Sequence, residues 1–336
     1  MHAVRLHAFG PAENLTYEEV PDPVPGPGQV RVAVAAAGVH LLDTALREGM
    51  PGPFGGPADL PTVPGREVAG TVDALGEGAD PGWLGRRVVA HLGTGPGGYA
   101  ELAVTDAARL HAIPPALDEA EAVAMIGTGR TAMGIVQFTD LGPDDVVIVP
   151  AAAGGIGTLL VQYARNAGAT VVGLAGGPAK TELVRALGAD AAIDYTRASP
   201  RPDWPSETRA FLGERRATVV YDSVGGDAGR EAVGLLGKGG RHIVFGWSSQ
   251  GVRDGEPLTF TDEELARRGI TSEQVLGRAM LDRAGGDVRV LETRALAEAA
   301  AGRLRPAVHL FPLREAARAH RALESRGTTG KVVLVP

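Results

Sequence analysis

Cysteine is absent from this chain of 336 residues. Without a thiol the protein can form no disulfide bond and can carry no thiolate nucleophile. Every zinc site that depends on a cysteine ligand is excluded for the same reason. Any catalytic chemistry must therefore come from other side chains or from a bound cofactor.

Aromatic residues and long apolar runs are also scarce. Aromatics make up 4% of the chain while hydrophobic residues make up 44%, so the core must consist mostly of Ala, Val, Leu and Ile. No stretch approaches the roughly 20 apolar residues that a membrane span requires. Residues 1–9 alternate like a strand and lack the basic-then-apolar pattern of a leader peptide. We expect a cytoplasmic protein with no membrane partner.

Positive charge is not in excess either. The chain has 33 Lys and Arg against 40 Asp and Glu, a formal net charge of -7. Such a balance repels a phosphate backbone, and no concentrated basic face is evident in the sequence to overcome it. Nucleic acid is therefore not an expected partner.

Glycine and proline, by contrast, are abundant, at 48 and 24 residues. In the first 120 residues they separate short strands at 30–36, 68–74 and 87–91, with a short helix at 41–47. A Pro- and Gly-rich segment at 49–65 predicts an ordered surface loop. This part of the chain is predicted to be β-rich and rich in turns.

After about residue 120 the pattern changes to apolar runs that alternate with helical segments. The runs lie at 146–150, 170–175, 191–195, 218–225 and 241–246. Continuous apolar runs are typical of strands buried on both faces, in a parallel sheet covered by helices. The tail has helices at 292–303 and 314–325 and a closing strand. The pattern predicts an α/β protein in which a doubly wound Rossmann domain, residues 122–276, is inserted into a β-rich domain formed by residues 1–121 and 277–336.

The sequence AAAGGIG at 151–157 follows a buried run and opens a predicted helix. Its adjacent glycines let the backbone approach a pyrophosphate, its last glycine lets helix and strand pack closely, and the helix N-terminus attracts the anion. A tight strand-to-helix turn is the alternative, but the strand, helix and strand context favours a dinucleotide site. The predicted pyrophosphate-binding residues are Ala152, Gly154, Gly155, Ile156 and Gly157.

The end of the next predicted strand indicates which dinucleotide binds. NAD enzymes usually carry an acid there for the ribose 2′-hydroxyl, but this chain has Ala175, Gly176 and Gly177. Space without negative charge suits a 2′-phosphate, which Lys180 could contact as a cation and Tyr195 as a hydroxyl donor. A solvated lysine and an ordinary half-buried tyrosine are the alternatives. We predict NADPH as the cofactor.

Two later segments, 222–226 and 245–247, end predicted strands at the carboxyl edge of the sheet, where open α/β folds bind ligands. They are predicted to flank the nicotinamide and its ribose. The residues concerned are Ser223, Val224, Phe245, Gly246 and Trp247.

These features, together with further motifs along the chain, resemble those of a known family. The motifs are GVHLLDTALREG (38–49), VPGREVAGTVDALGEG (63–78), GGYAEL (97–102), AAAGGIG (151–157), VVYDSVGG (219–226) and AHRALESRGTTGKVVLVP (319–336). Along its whole length the chain is similar to the zinc-independent quinone oxidoreductases of the medium-chain dehydrogenase/reductase superfamily. The resemblance implies a GroES-like catalytic domain, a cleft between it and the Rossmann domain, and a homodimer joined through Rossmann sheet edges. It also implies hydride transfer from NADPH to quinones or activated enones, and places Thr128 near the nicotinamide amide.

The resemblance also bears on metal binding. Zinc-dependent relatives carry a cysteine ligand where this chain has His40 and a histidine where it has Arg66. Zinc needs three or four well-placed ligands, and a guanidinium in place of one of them opposes the metal. We predict no metal.

His40 is the first candidate for catalysis, because an imidazole can donate to the negative charge that develops on an acceptor oxygen. It could instead only orient the nicotinamide amide or a water. Asp43 could fix the imidazole or cap the helix that starts at residue 41. The family usually has Asn at the position of His40, often Tyr at that of Ala45, and a small polar residue at that of Trp247, so the acceptor is less defined than the cofactor.

Three functions fit these residues. The first is an NADPH-dependent quinone or enone reductase. The second is an enoyl or alkene reductase dedicated to one pathway, which the sequence does not separate from the first. The third is a cofactor-binding protein of low turnover.

Overall fold

The computed structural model describes residues 1–51, 59–93, 95, 97–196, 203–251 and 255–336. Part of the loop predicted at 49–65 therefore lies outside the described residues. The chain forms two compact units: unit 1 comprises residues 1–129, 295–301 and 306–336, and unit 2 comprises residues 130–294 and 302–305. The domain borders predicted at 121/122 and 276/277 stay a prediction.

The described residues form strands in both units. In chain order they are β1 His2–Leu6, β2 Leu15–Glu19, β3 Gln29–Val39, β4 Glu67–Leu75, β5 Arg87–His91, β6 Leu102–Asp106, β7 His111–Ala112, β8 Val146–Val149, β9 Thr170–Ala175, β10 Ala191–Asp194, β11 Ala217–Asp222, β12 Leu236–Val244, β13 Thr271–Gln274, β14 Val308–Pro312 and β15 Lys331–Val335.

Helices connect or flank these strands. In chain order they are α1 Leu41–Arg47, α2 Glu119–Ala124, α3 Arg130–Val136, α4 Gly155–Asn166, α5 Pro178–Ala186, α6 Trp204–Leu212, α7 Gly226–Val233, α8 Asp262–Arg268, α9 Arg278–Arg283, α10 Val288–Ala300 and α11 Ala316–Glu324. A π-helical turn, Met125–Gly129, joins α2 to α3.

The main sheet of unit 1 has the strand order β14-β15-β3-β4-β5-β7, and β6 also pairs with β3. The long strand β3 alternates buried and more exposed residues over its first half, as a half-buried strand does. Val30 and Val32 belong to one apolar cluster, and Val34 and Val39 belong to another. The pairing places β3 between β15 and β4, and this position matters for the site below.

The sheet of unit 2 has six strands in the order β10-β9-β8-β11-β12-β13. Its pairings are all parallel. All four residues of β8 are buried, as expected for a central strand covered on both faces. The chain runs outward in one direction from β8 and in the other from β11, so the strand order reverses between these two strands. That reversal is where doubly wound folds bind dinucleotides, and the predicted fold class is confirmed.

Most predicted elements agree with the structure to within a few residues. The helix predicted at 41–47 is α1 and the strand predicted at 170–175 is β9, with the same bounds. The helix α6 and the strand β13 were not predicted. None of the helices in the described ranges is both long and apolar enough to cross a membrane.

Candidate active site

The motif at 151–157 forms the turn between β8 and α4. Its N-cap, Gly154, has extended backbone angles, and the N–H of Ala152 donates to the carbonyl of Leu174 at 2.9 Å, which ties the turn to β9. A Cβ atom at Gly157 would overlap the carbonyl oxygen of Ala151 and the backbone of Ala152. Glycine is therefore required here for the helix to lie against the turn, as predicted from the motif.

The N-terminus of α4 suits an anion. The N–H of Thr158 donates to the carbonyl of Gly154 at 2.9 Å, and this bond begins the regular helical pattern. The N–H groups of residues 155–157 precede it and belong to the turn of a helix that normally lacks internal partners. The first turn carries no acidic residue. The pyrophosphate of a dinucleotide thus fits this end of the helix by both hydrogen bonding and dipole.

The predicted 2′-phosphate residues lie at the carboxyl ends of β9 and β10. Gly177 has a positive φ of 84° and caps α5, whose third residue is Lys180. The N–H of Tyr195 donates to the carbonyl of Ala175 at 3.3 Å, so the backbone of Tyr195 lies beside the end of β9. Thr196 also lies here, since a Cβ at Gly176 would be 3.0 Å from its Cγ2 atom. Thr196 was not among the predicted residues, because no sequence pattern marks it.

A carboxylate, Asp194, ends the neighbouring strand β10. Its Oδ1 atom accepts hydrogen bonds from the N–H of Thr196 at 3.1 Å and from the hydroxyl of Thr196 at 2.7 Å. The positions that usually carry the acid of an NAD enzyme, at the end of β9, hold Ala175 and the two glycines. The carboxylate of Asp194 is therefore engaged by the turn that follows it.

At the carboxyl ends of β11 and β12 a buried carboxylate shapes the turn. Asp222 is fully buried, and its Oδ1 atom accepts the N–H groups of Val224 and Gly225 at 2.8 and 2.9 Å. Its Oδ2 atom lies 3.1 Å from Nε2 of His242, and Nδ1 of that ring lies 2.8 Å from the hydroxyl of Ser272. The charge of Asp222 thus orders the turn that holds two predicted cofactor residues.

The same region brings the remaining predicted nicotinamide residues together. The N–H of Ser248 donates to the carbonyl of Ser223 at 3.0 Å, and a Cβ at Gly246 would be 2.9 Å from that same carbonyl oxygen. Phe245 follows β12 and is buried. The Nε1 atom of Trp247 is buried and has no hydrogen-bond partner among the described residues. Ser223, Val224, Phe245, Gly246 and Trp247 therefore form one cluster, and their contact with a cofactor stays a prediction.

In unit 1, His40 is the N-cap residue of α1 and Asp43 is the third residue of that helix. The Oδ2 atom of Asp43 accepts the backbone N–H of His40 at 2.8 Å and the hydroxyl of Tyr99 at 3.0 Å. Asp43 is buried, so its carboxylate holds the backbone of His40 and not the imidazole. Of the two roles considered for Asp43, the geometry favours the helix cap.

The imidazole of His40 contacts a residue that the sequence analysis had not assigned to catalysis. Its Nε2 atom lies 2.6 Å from Oε1 of Glu67, and Oε2 of Glu67 lies 2.9 Å from Nζ of Lys331. The side chain of Glu67 is 0% exposed, that of Lys331 4% and that of His40 28%. The atoms meet at ion-pair distance but outside good hydrogen-bond angles, so the contacts are primarily electrostatic.

The charge state of Glu67 follows from its neighbours. Burial favours the neutral carboxylic acid, but the positive charges of His40 and Lys331 outweigh it and hold the pKa of Glu67 well below its usual range. Glu67 is therefore a buried carboxylate between an imidazole and an ammonium.

Two glycines make room for this carboxylate. A Cβ at Gly38 would overlap Oε2 of Glu67, and a Cβ at Gly127 would overlap Oε1. Gly38 lies on β3, between the strands that carry Glu67 and Lys331, so its missing side chain lets the two charges meet across the middle strand. Gly127 and the predicted site residue Thr128 lie in the π-helical turn, a feature frequent at functional sites.

A second cation, Arg66, precedes Glu67. Its side chain is 15% exposed, one terminal nitrogen lies 4.0 Å from Oδ1 of Asp43, and its Nε atom has no hydrogen-bond partner among the described residues. Within the described ranges, no group of three or more His, Cys, Asp or Glu side chains could hold a metal ion. The ammonium of Lys331 already balances Glu67, so a metal is not needed there, and metal independence stays a prediction.

Comparison with known proteins agrees with both units. Residues 26–115 match the family described as "Alcohol dehydrogenase GroES-like domain". Residues 155–283 match the family described as "Zinc-binding dehydrogenase". The chain contains no cysteine and therefore offers no cysteine ligand to zinc.

Similar proteins cover the chain from end to end. The chain is 35% identical over 343 residues to the 2-haloacrylate reductase of a Burkholderia species, covering 99% of this chain and 98% of that protein. It is 32% identical over 349 residues to the quinone oxidoreductase of Pseudomonas aeruginosa, covering 99% of each. The crystal structure of Escherichia coli quinone oxidoreductase complexed with NADPH superimposes with a TM-score of 0.82, at 27% identity and 100% coverage of both chains.

A GroES-like unit combined with a Rossmann unit defines an oxidoreductase of the medium-chain dehydrogenase/reductase superfamily. Within that superfamily the chain belongs to the zinc-independent quinone oxidoreductases. The resemblance seen in the sequence motifs is thereby confirmed.

Proposed function

We propose that this protein is an NADPH-dependent reductase that transfers hydride to quinones or activated alkenes without zinc. The observation that carries the proposal is the partly exposed imidazole of His40, held against the buried pair of Glu67 and Lys331. It offers a proton-donating group where zinc-dependent relatives place a metal ligand. The similarity to a quinone oxidoreductase and to a 2-haloacrylate reductase supports both acceptor classes.

NADPH, when bound, supplies the hydride. The glycine turn at 154–157 would bind its pyrophosphate, and Lys180 with Tyr195 would contact its 2′-phosphate. The cluster from Ser223 to Trp247 would hold the ribose and the nicotinamide. The similar Escherichia coli structure is a complex with NADPH, which supports this assignment.

The acceptor becomes negatively charged after it takes hydride, so a donor near that charge lowers the barrier. His40 would supply the donor. Arg66 would bind a negatively charged group of the acceptor, because its buried Nε atom lacks a partner among the described residues. A carboxylate-bearing alkene, such as the substrate class named for the Burkholderia relative, would give this guanidinium a counter-ion.

The first experiment measures cofactor preference. Binding of NADPH and NADH is titrated by fluorescence for the wild type, for Lys180→Ala, and for Lys238→Ala as a control on an exposed lysine of the same unit. We expect tighter NADPH binding in the wild type and at least a tenfold loss in Lys180→Ala alone, since one charged contact to phosphate is worth about 1.5–3 kcal/mol. Equal or tighter binding of NADH would contradict the assignment of NADPH.

The second experiment measures the acceptor. NADPH oxidation is followed with 1,4-benzoquinone, an α,β-unsaturated ketone, an enoyl thioester, 2-chloroacrylate and 2-chloroacrylamide. Turnover of the quinone or the ketone supports the general reductase, and turnover of the thioester alone supports the pathway-specific reductase. Preference for 2-chloroacrylate over its amide, lost in Arg66→Gln, would assign Arg66 to carboxylate recognition. Tight NADPH binding without turnover would favour the binding protein of low turnover.

We also propose a homodimer joined through the edge of the sheet in unit 2. Strand β13 is an edge strand of that sheet, and Thr271, Glu273 and Gln274 are exposed on it. Exposed backbone groups on an edge strand pair readily with a second copy. Light scattering would give twice the chain mass of 34.6 kDa. The N–H of Val275 donates to Val244 of β12, so the N–H of Gln274 faces the open edge, and Gln274→Pro, which removes it, would shift the protein toward the monomer.

A further inference from the structure

The unassigned feature of the active site is the line of charge formed by His40, Glu67 and Lys331. We propose that Glu67 and Lys331 are positioning residues that keep a proton on Nε2 of His40, so that Nδ1 is the atom that delivers a proton to the reduced acceptor. This inference rests on the proposed reductase function.

The carboxylate of Glu67 determines which ring nitrogen of His40 carries hydrogen. An ionised carboxylate only accepts hydrogen bonds. Oε1 of Glu67 lies 2.6 Å from Nε2 of His40, and a bare lone pair on that nitrogen would be repelled by the negative carboxylate at this distance. Nε2 therefore carries hydrogen in both the neutral and the charged ring. The Nε2 atom is buried, so the 28% of the side chain that is exposed lies elsewhere on the residue. With hydrogen held on Nε2, Nδ1 is the ring nitrogen left to gain and lose a proton.

Nδ1 of His40 forms no hydrogen bond with the backbone of its own helix. A histidine at an N-cap could spend Nδ1 on the backbone of its own helix. Here the N–H of Asp43 donates to the carbonyl oxygen of His40 at 3.0 Å; the imidazole faces the same N–H, as in a capping box, but forms no hydrogen bond with it. The helix is capped instead from the other side, by the carboxylate of Asp43 on the N–H of His40.

Lys331 keeps Glu67 paired when His40 loses its proton. A buried carboxylate with no partner other than an imidazole would oppose loss of the imidazolium proton, since that loss would leave an unpaired buried charge. With Nζ of Lys331 2.9 Å from Oε2, Glu67 remains paired in both states of His40. The ring can therefore release and regain its proton without creating an unpaired charge. Lysine occurs three times in this chain, and the other cationic side chains are arginines. A lysine at this buried position therefore departs from the usual choice of cation in the chain.

The side chain of Glu67 is held rigidly. The backbones of Gly38 and Gly127 lie against the two oxygens of Glu67, so the carboxylate has little room to rotate away from either partner. The other charged groups around the line are Arg66, Asp43 and His91, and the last of these also lowers the pKa of Glu67. The arrangement restricts both the orientation and the protonation of one imidazole.

His40 protonates the acceptor after hydride transfer, and solvent then restores the proton on the ring. Hydride transfer to the acceptor leaves an anion on oxygen or on the carbon next to a carbonyl. The N–H bond at Nδ1 of the imidazolium breaks, an O–H or C–H bond forms on the reduced acceptor, and the neutral ring keeps its hydrogen on Nε2. Solvent then returns a proton to Nδ1. One NADPH and one proton are consumed for each acceptor reduced.

The decisive measurement uses the unmodified protein. Nitrogen-15 NMR of histidine-labelled enzyme, with the His40 signals identified by their loss in His40→Asn, reports which ring nitrogen carries hydrogen. We expect the Nε2–H form when the ring is neutral. A neutral His40 with its hydrogen on Nδ1 would overturn the proposal. The measurement needs no turnover, so its outcome is separate from failure of the proposed reductase function.

Kinetic variants test the two positioning residues. We expect Glu67→Gln to lower kcat at least tenfold, a part of the roughly 10²–10⁴-fold that general acid catalysis contributes, and to mix the two ring forms in the NMR spectrum. We expect Lys331→Met to move the pH profile of kcat upward by about one unit, because the unbalanced Glu67 then favours the imidazolium. Lys331→Arg, which keeps the charge, should restore the profile in part, and Lys238→Met should leave it unchanged.

Binding separates a positioning role from general damage. Each variant is also titrated with NADPH and melted, and the proposal requires wild-type NADPH affinity in the variants that fold. A wild-type kcat and pH profile in both Glu67→Gln and Lys331→Met would overturn the assignment. Should either variant fail to fold, the NMR result on the wild type still decides the case.

Discussion

Tyr99 and His320 are both fully buried, and the phenol oxygen lies 3.1 Å from Nε2 of the imidazole. The direction of this hydrogen bond is fixed by the other ring nitrogen. Arg47 can only donate, and its NH1 atom lies 3.4 Å from Nδ1 of His320. His320 therefore carries hydrogen on Nε2 and donates to Tyr99, which donates to Asp43. One chain of hydrogen bonds connects α11, through a buried phenol, to the N-cap that holds His40.

The buried state of His320 predicts a pH dependence of stability. Burial is the main cause that lowers the pKa of His320 to about 4 from the ordinary value of 6.5. Between these values the unfolded chain binds a proton at this residue and the folded chain does not, so the free energy of unfolding falls as pH drops. The loss is at most about 3 kcal/mol. Urea unfolding between pH 7 and pH 5 should show the decline.

The matched variant for this prediction is His320→Gln, which keeps one donor and one acceptor but cannot titrate. It should be less stable at pH 7 and should lose less stability between pH 7 and pH 5 than the wild type. An equal slope in both proteins would show that another group causes the acid sensitivity.

Removal of the Tyr99 hydroxyl should destabilise the protein. Tyr99→Phe leaves the Nε2–H of His320 and one oxygen of Asp43 without this partner in a buried region, at a cost of about 1–3 kcal/mol. Tyr17→Phe, at an exposed tyrosine of the same unit, should change stability by less than about 0.5 kcal/mol. Urea unfolding of both variants makes the comparison. A similar small effect in both would mean that the hydroxyl of Tyr99 contributes little.

Gly157→Ala should weaken NADPH binding and stability together. The added methyl group meets the backbone of Ala151 and Ala152, which cannot move without displacing the turn between β8 and α4. We expect a loss of about 1–3 kcal/mol in stability, as for an overpacked core, and at least tenfold weaker NADPH binding. Gly142→Ala is the control in the same unit, because a Cβ there meets nothing within 4 Å. Equal NADPH affinity in the two variants would contradict the prediction.

Asp222→Asn should loosen the turn at 223–225. The substitution removes the negative charge that accepts two backbone N–H groups and contacts His242. We expect about 1–3 kcal/mol of lost stability and several-fold weaker NADPH binding. Ser272→Ala removes only the half-buried outer end of the same chain of contacts and should cost less than about 1 kcal/mol. The order of the two effects, measured by urea unfolding and fluorescence titration, is the test.

The parts of the fold that could be predicted from sequence are those in which a local pattern determines local structure. The run at 170–175 is apolar throughout because β9 is covered on both faces, and its bounds followed directly. Strand β13 has the sequence TSEQ and lies at an exposed sheet edge, so it has no apolar residue to reveal it. Helix α6 has an N-cap at Asp203 and a proline in its first turn; these signals were readable in the sequence, but the segment lacks a clear apolar period.

The residues of the candidate site also divide into those that a local sequence pattern predicts and those that it does not. The glycine turn lies within one strand–helix–strand segment, and Lys180 follows that segment in the first turn of α5, so their spacing along the chain predicted a phosphate site. Lys331 could not be assigned in this way, because its partner Glu67 is brought to it only by the pairing of β15 with β3 and of β3 with β4. No local pattern marks a lysine whose counter-ion is supplied by a distant strand.

The position of β15 also affects how the protein is made. Glu67 leaves the ribosome before any of unit 2 is synthesised, whereas Lys331 follows after it. Until β15 adds to β3, a nascent chain that closed the rest of the sheet would bury the carboxylate without its ammonium. Late pairing over such a distance in sequence is slow, and His40 and Glu67 are joined by Lys331 only when β15 is in place. Synthesis of β15 is thus a condition for pairing the buried charge of Glu67.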